Sequence, residues 1–105
     1  MSESLVVFVT CGSEEEGLTI AHTLVDERLA ACVNLMSPIR SIYRWGGEVS
    51  DEKEWLLIIK TQTARFEDVE KRVKALHSYS LPETIAFPII KGSSSYLNWL
   101  KEMTS

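Results

Sequence analysis

Cysteine, histidine and proline are scarce in this chain of 105 residues, with two, two and three copies. Two cysteines, Cys11 and Cys32, build no disulfide framework. A chain with 45% hydrophobic residues does not need one, so both are expected as thiols in a reducing, cytoplasmic setting. Positive charge is also in deficit. Eleven Lys and Arg stand against fifteen Asp and Glu, a net charge of −4, which argues against nucleic acid and against docking on an anionic membrane. No apolar run approaches membrane-spanning length. The start, MSESLVVFVT, has no cationic stretch ahead of its apolar run, so no signal peptide is expected. There is no GxSxG elbow, P-loop, dinucleotide fingerprint or HExxH pair. The expectation is a protein that is not an enzyme and has no obligatory cofactor. A carboxylate pair, Glu54 with Glu83, is left open as the one acid–base arrangement a sheet can assemble, and nothing in the sequence favours it.

What is present reads as alternating strands and helices. Leu5–Val9 is an apolar, β-branched run, a strand buried on both faces. Ser13 followed by Glu16 forms a capping box for a helix expected to reach about Leu29, with Leu18, Ala21, Leu24, Val25 and Leu29 on its buried face. A second extended stretch, Cys32–Met36, meets Pro38, the mark of a bulge or an edge, and resumes over Ser41–Trp45. Gly46-Gly47 suits a tight hairpin, and Glu54–Thr61 is the return strand. Phe66, Val69, Val73 and Leu76 form one apolar stripe, and Glu67/Lys71, Asp68/Arg72 and Glu70/Lys74 support its solvated outer face. A last strand, Glu83 to Ile90, is interrupted by Pro88. Ser93–Ser95 then cap a short helix carrying Tyr96, Trp99, Leu100 and Met103. The order β-α-β-β-α-β plus a terminal helix is that of an α+β, ferredoxin-like sandwich, one domain over residues 1–105.

In that plan both long helices cover one sheet face. The other should then be polar at alternate positions, and it is not. Trp55, Leu57 and Ile59 point one way, Leu56 and Ile58 the other; Ile85, Phe87 and Ile89 oppose Ala86, Pro88 and Ile90. Each such side chain is worth roughly 1.5–3 kcal/mol when buried. A second copy of the chain is the simplest cover, and the alternative is that the final helix alone supplies it. Tyr43 and Trp45, on the projecting hairpin, are expected as interface anchors. Trp55, Trp99 and Tyr96 belong to core or interface rather than to a ligand platform.

The blocks Glu27-Arg28-Leu29-Ala30-Ala31-Cys32-Val33-Asn34, Ser41-Ile42-Tyr43-Arg44-Trp45 with Gly47, Lys60-Thr61, Pro82-Glu83 and Tyr96-Leu97 with Trp99 resemble the CutA divalent-cation-tolerance family over nearly the whole chain. The resemblance implies a compact homotrimer, with Trp45, Trp55 and Trp99 at its interface. It also implies a link to tolerance of copper and other divalent metals, and a likeness to PII-like signalling trimers. Copper prefers thiolate, thioether and imidazole ligands. Candidates are Cys11, Cys32, His22 and His77, none in a recognised ligand spacing. His77, just past the second helix, and Cys32 are carried forward as metal ligands. The competing readings are a capping or interface histidine and a buried core cysteine. Cys11, at a strand end, is expected to be exposed and oxidisable, and His22 to flank its helix. Family members commonly read His-Pro-Tyr where this chain has His77-Ser78-Tyr79, and copper-binding members carry a cysteine where Val9 stands.

Tyr43, Glu54, Lys60, Tyr79 and Glu83 form a second candidate group. They are read either as lining an intersubunit cleft for a small anion or metabolite, or as an intersubunit ion-pair network. The first functional expectation is a cytoplasmic trimer in divalent-metal homeostasis. The runner-up is a PII-like small-molecule sensor or interaction module using that cleft. An acylphosphatase-type hydrolase shares the fold, but it needs an arginine-bearing anion loop where this chain has Glu14, Glu15 and Glu16.

Overall fold

Strand parity builds the core. In the computed structural model, which describes residues 3–105, Val7, Val9 and Cys11 of the first strand share a face with Leu57 and Ile59 of the third. All five are fully buried against Ile20 and Leu24 of the first helix and Val69 and Val73 of the second. Residues 1 and 2, which open the segment read for a signal peptide and the expected 1–105 domain, lie outside the described residues. The elements are β1 (Ser4–Cys11), α1 (Glu14–Asp26), β2 (Cys32–Trp45), β3 (Glu48–Gln62), α2 (Phe66–Leu76, entered through a short 3-10 turn), β4 (Ile85–Pro88) and α3 (Ser94–Met103). The strands form one antiparallel sheet in the order β2-β3-β1-β4, the ferredoxin-like arrangement expected.

α1 differs from its sequence reading in end and in face. It stops at Asp26 because Arg28 adopts φ 61°. The Leu29 N–H then returns to the Leu24 carbonyl (2.9 Å) and the Arg28 N–H to that of Val25 (3.1 Å), a Schellman closure with arginine where glycine is usual. Its buried face is Gly17, Ile20 and Leu24, while Leu18 and Val25 are 43% and 41% exposed. A Cβ at Gly17 would lie 3.1 Å from Leu35 Cδ1. The helix therefore sits close to the sheet on its glycine, rotated by one residue from the stripe that larger side chains suggest. Ser13 does cap it, its Oγ accepting from the Glu16 N–H at 3.2 Å. The Glu16 carboxylate turns instead to Ser78, so only half of the capping box forms.

The hairpin is longer than expected. β2 runs unbroken through Pro38, which sits on this edge strand within a register shift between Met36 and Ile39. β3 begins at Glu48, six residues before the expected start at Glu54. Gly46 (φ 60°) and Gly47 (φ 81°) make the turn, and the molecule measures 44 × 25 × 23 Å. β4 is shorter than read, four residues, because only Leu5–Phe8 of β1 pair with it.

The helix-free face carries an apolar patch beside the polar pair Lys60 and Asn34. Phe8 stands opposite Ile58 on one side and Ile85 on the other, Val6 opposite Phe87, and Met36 opposite Leu56. The Phe8 and Phe87 rings meet edge to face at 5.1 Å. α3 buries Leu100, and its C-cap Thr104, also buried, ties it down through Gln62 Nε2 to Thr104 Oγ1 (2.7 Å) and Arg65 Nε to the Thr104 carbonyl (2.8 Å). It does not cover the face: Ile85 and Phe87 remain 48% and 47% exposed, and Trp99 also stays exposed. The reading in which the final helix alone supplies the cover fails in a single chain. Trp45 is exposed at the hairpin end, whereas Trp55 is half-buried on the helix side, opposite Cys11.

Candidate metal cluster and acidic cleft

Three elements converge where β1 ends. Cys11 closes β1, Glu16 lies in the first turn of α1, and His77 caps the C-terminus of α2, its N–H donating to the Val73 carbonyl at 2.9 Å. Their ligand-type atoms all lie within 4.8 Å of one another. His77 Nδ1 is 3.9 Å from Glu16 Oε2, and the imidazole has no exposed side-chain surface. Its Nε2 lies 2.7 Å from the Thr10 carbonyl and so carries the proton and donates; Nδ1 accepts from the Tyr79 N–H at 3.1 Å. Glu16 Oε1 accepts from the Ser78 N–H (2.7 Å) and Oε2 from the Ser78 hydroxyl (3.2 Å). Burial first, then the charges of Glu16 and Glu54, pushes the Cys11 thiol up to about 12.

This reverses the expected roles of the two cysteines. Cys11, anticipated as exposed, is fully buried because it shares the parity of Val7 and Val9. Cys32, weighed as a core residue, is half-buried, with Sγ 4.0 Å from Asn34 Oδ1. Cys11 pairs with Trp55 and Cys32 with Lys60. Five residues along β3, roughly 16 Å, and the two strand spacings from β1 to β2 therefore separate the two positions. His77 and Cys32 are consequently not brought together within one chain; the thiol beside His77 is that of Cys11. His22 is exposed on α1.

The second group gathers at the side of the hairpin. A cleft of about 720 Å³ is walled by Tyr43, Glu54, Tyr79 and Glu83 together with Ile42, Trp45 and Leu81. Glu54 is only 6% exposed, and its Oε2 accepts from the Tyr79 hydroxyl at 2.9 Å. The Tyr43 hydroxyl donates to Glu52 Oε1, which raises the Tyr43 phenol above its ordinary range. Burial, and then the bond to Glu54, raises the Tyr79 phenol as well. The Glu83 carboxyl is pushed up by burial and by Glu54. Lys60 is the exception. It lies outside this cleft, with Nζ bonded to Asn34 Oδ1, so four of the five expected residues meet and the basic one does not. Sequence reasoning missed Ile42 and Leu81 as cleft walls, and Glu52 as the partner of Tyr43, because the cleft depends on how far the hairpin extends and where the segment before β4 meets it. One segment joins both places: the His77 and Tyr79 rings lie 4.6 Å apart.

The β2-β3-β1-β4 sheet, the two helices on one face and the long hairpin define a ferredoxin-like domain. A buried thiol–carboxylate–imidazole cluster sits at the end of its first strand. Within that class the chain belongs to the CutA1 divalent ion tolerance protein family, whose family model matches residues 5–103. It is 54% identical over 99 residues to the divalent-cation tolerance protein CutA of Thermus thermophilus, covering 94% of this chain and 96% of that protein. Against the chloroplastic protein CutA of Arabidopsis thaliana it is 48% identical over 101 residues, 96% of this chain but 56% of that protein. The chain thus spans about half the length of that plant relative. Among solved structures, the Thermus thermophilus divalent cation tolerance protein superposes with TM-score 0.95 at 52% identity, covering 97% of this chain and 99% of that one. CutA1 from Oryza sativa gives 0.95 at 44%, covering 99% and 95%. The periplasmic divalent cation tolerance protein CutA of Archaeoglobus fulgidus gives 0.94 at 37%, covering 97% and 99%. The Thermus thermophilus and Archaeoglobus fulgidus names describe tolerance of divalent cations.

Proposed function

We propose that this protein serves divalent-cation tolerance as a homotrimer that binds a copper ion weakly through Cys11, Glu16 and His77. The observation carrying this reading is the convergence of one sulfur, one carboxylate and one imidazole within 4.8 Å, a donor set suited to copper or zinc rather than to magnesium or calcium. Weakness follows from the same geometry. Taking the proton from a thiol that holds it to about 12 costs about 7 kcal/mol at pH 7. A metal on His77 Nδ1 must also displace the Tyr79 N–H, a loss of about 1 kcal/mol. Binding releases a proton and strengthens as pH rises. The trimer is supported by the apolar sheet face that α3 leaves open. A reducing compartment such as the cytoplasm is supported by two unpaired thiols at opposite ends of the sheet. No catalytic step is assigned.

Copper titrations of the reduced parent protein, Cys11→Ala, His77→Ala and Cys32→Ala test the ligand set. Cys11→Ala and His77→Ala should each weaken binding by at least about tenfold, and Cys32→Ala should leave it unchanged. Loss of copper from Cys32→Ala with retention in Cys11→Ala would reject the cluster.

A further inference from the structure

The metal cluster is nearly closed to solvent. Cys11 is fully buried, the His77 imidazole has no exposed surface, and the Glu16 side chain is 17% exposed. Neighbouring copies in an assembly can only deepen that burial, so the barrier to entry is set within one chain. The donor atoms are also engaged. His77 Nε2 is committed to the Thr10 carbonyl, which leaves Nδ1 as the nitrogen for a metal. Nδ1 accepts from the Tyr79 N–H at 3.1 Å. Glu16 Oε1 accepts from the Ser78 N–H at 2.7 Å and Oε2 from the Ser78 hydroxyl at 3.2 Å. Two consecutive residues, Ser78 and Tyr79, therefore occupy both the carboxylate and the free imidazole nitrogen.

A further contact holds these two residues down. The Tyr79 hydroxyl donates to Glu54 at 2.9 Å. It lies across Gly12, where an added Cβ would come within 3.1 Å of it, and its ring sits 4.6 Å from that of His77. Glu54 is nearly buried and is the first residue of β3 beyond the end of β1, where the hairpin begins to project. A hydrogen bond to a charged acceptor is stronger than a neutral one. When the bonds to Glu16 and His77 give way, this one still holds Tyr79 in place. A tyrosine side chain has only two torsions to absorb a shift, so displacement of the backbone at residue 79 pulls on its hydroxyl.

We propose that Ser78–Tyr79 is a plug over the cluster and that the Tyr79–Glu54 bond is its latch, so that metal entry and release of Tyr79 from the hairpin are coupled. The inference rests on the assignment of Cys11, Glu16 and His77 as copper ligands. Such coupling is reciprocal. Loosening the latch tightens copper binding, and copper at the cluster frees Tyr79 from Glu54. Tyr79 and Glu54 act as positioning residues, through the plug.

Hydrogen exchange read by mass spectrometry, together with copper titration, tests this on the reduced full-length assembly with Tyr79→Phe and Ser78→Ala. Neither substitution changes charge or removes a proposed ligand. In metal-free protein, Tyr79→Phe should speed exchange of the amides of residues 78 and 79 at least about tenfold. Both variants should bind copper at least about fivefold tighter than the parent, opposite in direction to general damage at the site. Copper added to the parent should deprotect the same two amides. Unchanged amide exchange in folded Tyr79→Phe overturns the latch whether or not copper binds. Copper that binds the parent without exposing those amides, or binds either folded variant no tighter, overturns the plug and leaves the ligand assignment standing. Failure of copper to bind the parent and both variants overturns the ligand assignment and the plug with it. Uptake by the variants alone supports both.

Discussion

At the scale of single residues, Cys11 ties packing to chemistry. Its folded thiol holds the proton to about 12, against 9.0 for an ordinary cysteine. Between those values unfolding releases a proton. Stability is therefore full below pH 9 and falls as pH rises toward 12. The loss contributed by this residue reaches up to about 4 kcal/mol. Urea denaturation between pH 8 and 11 should show a stability slope that flattens in Cys11→Ala; an identical slope would mean the thiol is not buried as described. His77 carries a different load. Its ring satisfies the Thr10 carbonyl and the Tyr79 N–H, so His77→Ala should cost about 1–3 kcal/mol even in metal-free buffer.

At the scale of elements, what the sequence reveals depends on whether a residue announces itself by its side chain. α2 is legible from Phe66, Val69, Val73 and Leu76 alone, and the hairpin turn from Gly46-Gly47. α1 is misread because its contact residue is Gly17, which has no apolar side chain to count, and because Arg28 ends it where a glycine would have been the visible signal. Gly17→Leu should destabilise by about 1–3 kcal/mol through overpacking against Leu35 and Leu57, measured by thermal or chemical unfolding. An unchanged midpoint would mean the helix can back away from the sheet. The candidate site was legible in part for the same reason. His77 and the four cleft residues stand out by type, but the position of Cys11 at a strand end suggests exposure, whereas parity with Val7 and Val9 decides its direction. Glu16 looked like a capping residue, and no spacing rule links it to a histidine 61 residues away that only the α1–α2 packing brings near.

At the scale of the whole molecule, Phe8, Ile58, Ile85 and Phe87 form an apolar face that one chain does not cover. Burying it between copies accounts for an otherwise unfavourable surface. On the proposed trimer, Phe87→Asp should shift sedimentation toward monomer, with the helix and strand signal in circular dichroism retained, since the core of Val7, Val9, Leu57 and Ile59 lies on the opposite face. A trimer undisturbed by that substitution would place the interface elsewhere.

Native mass spectrometry of the reduced protein, with a slight excess of Cu(II) and a parallel Zn(II) control, examines assembly and metal together. The prediction is a trimer that gains copper, up to one ion per chain, and loses that gain in Cys11→Ala and His77→Ala. A trimer to which no copper adds, or one whose copper survives both substitutions, would contradict the assignment of metal binding to Cys11, Glu16 and His77.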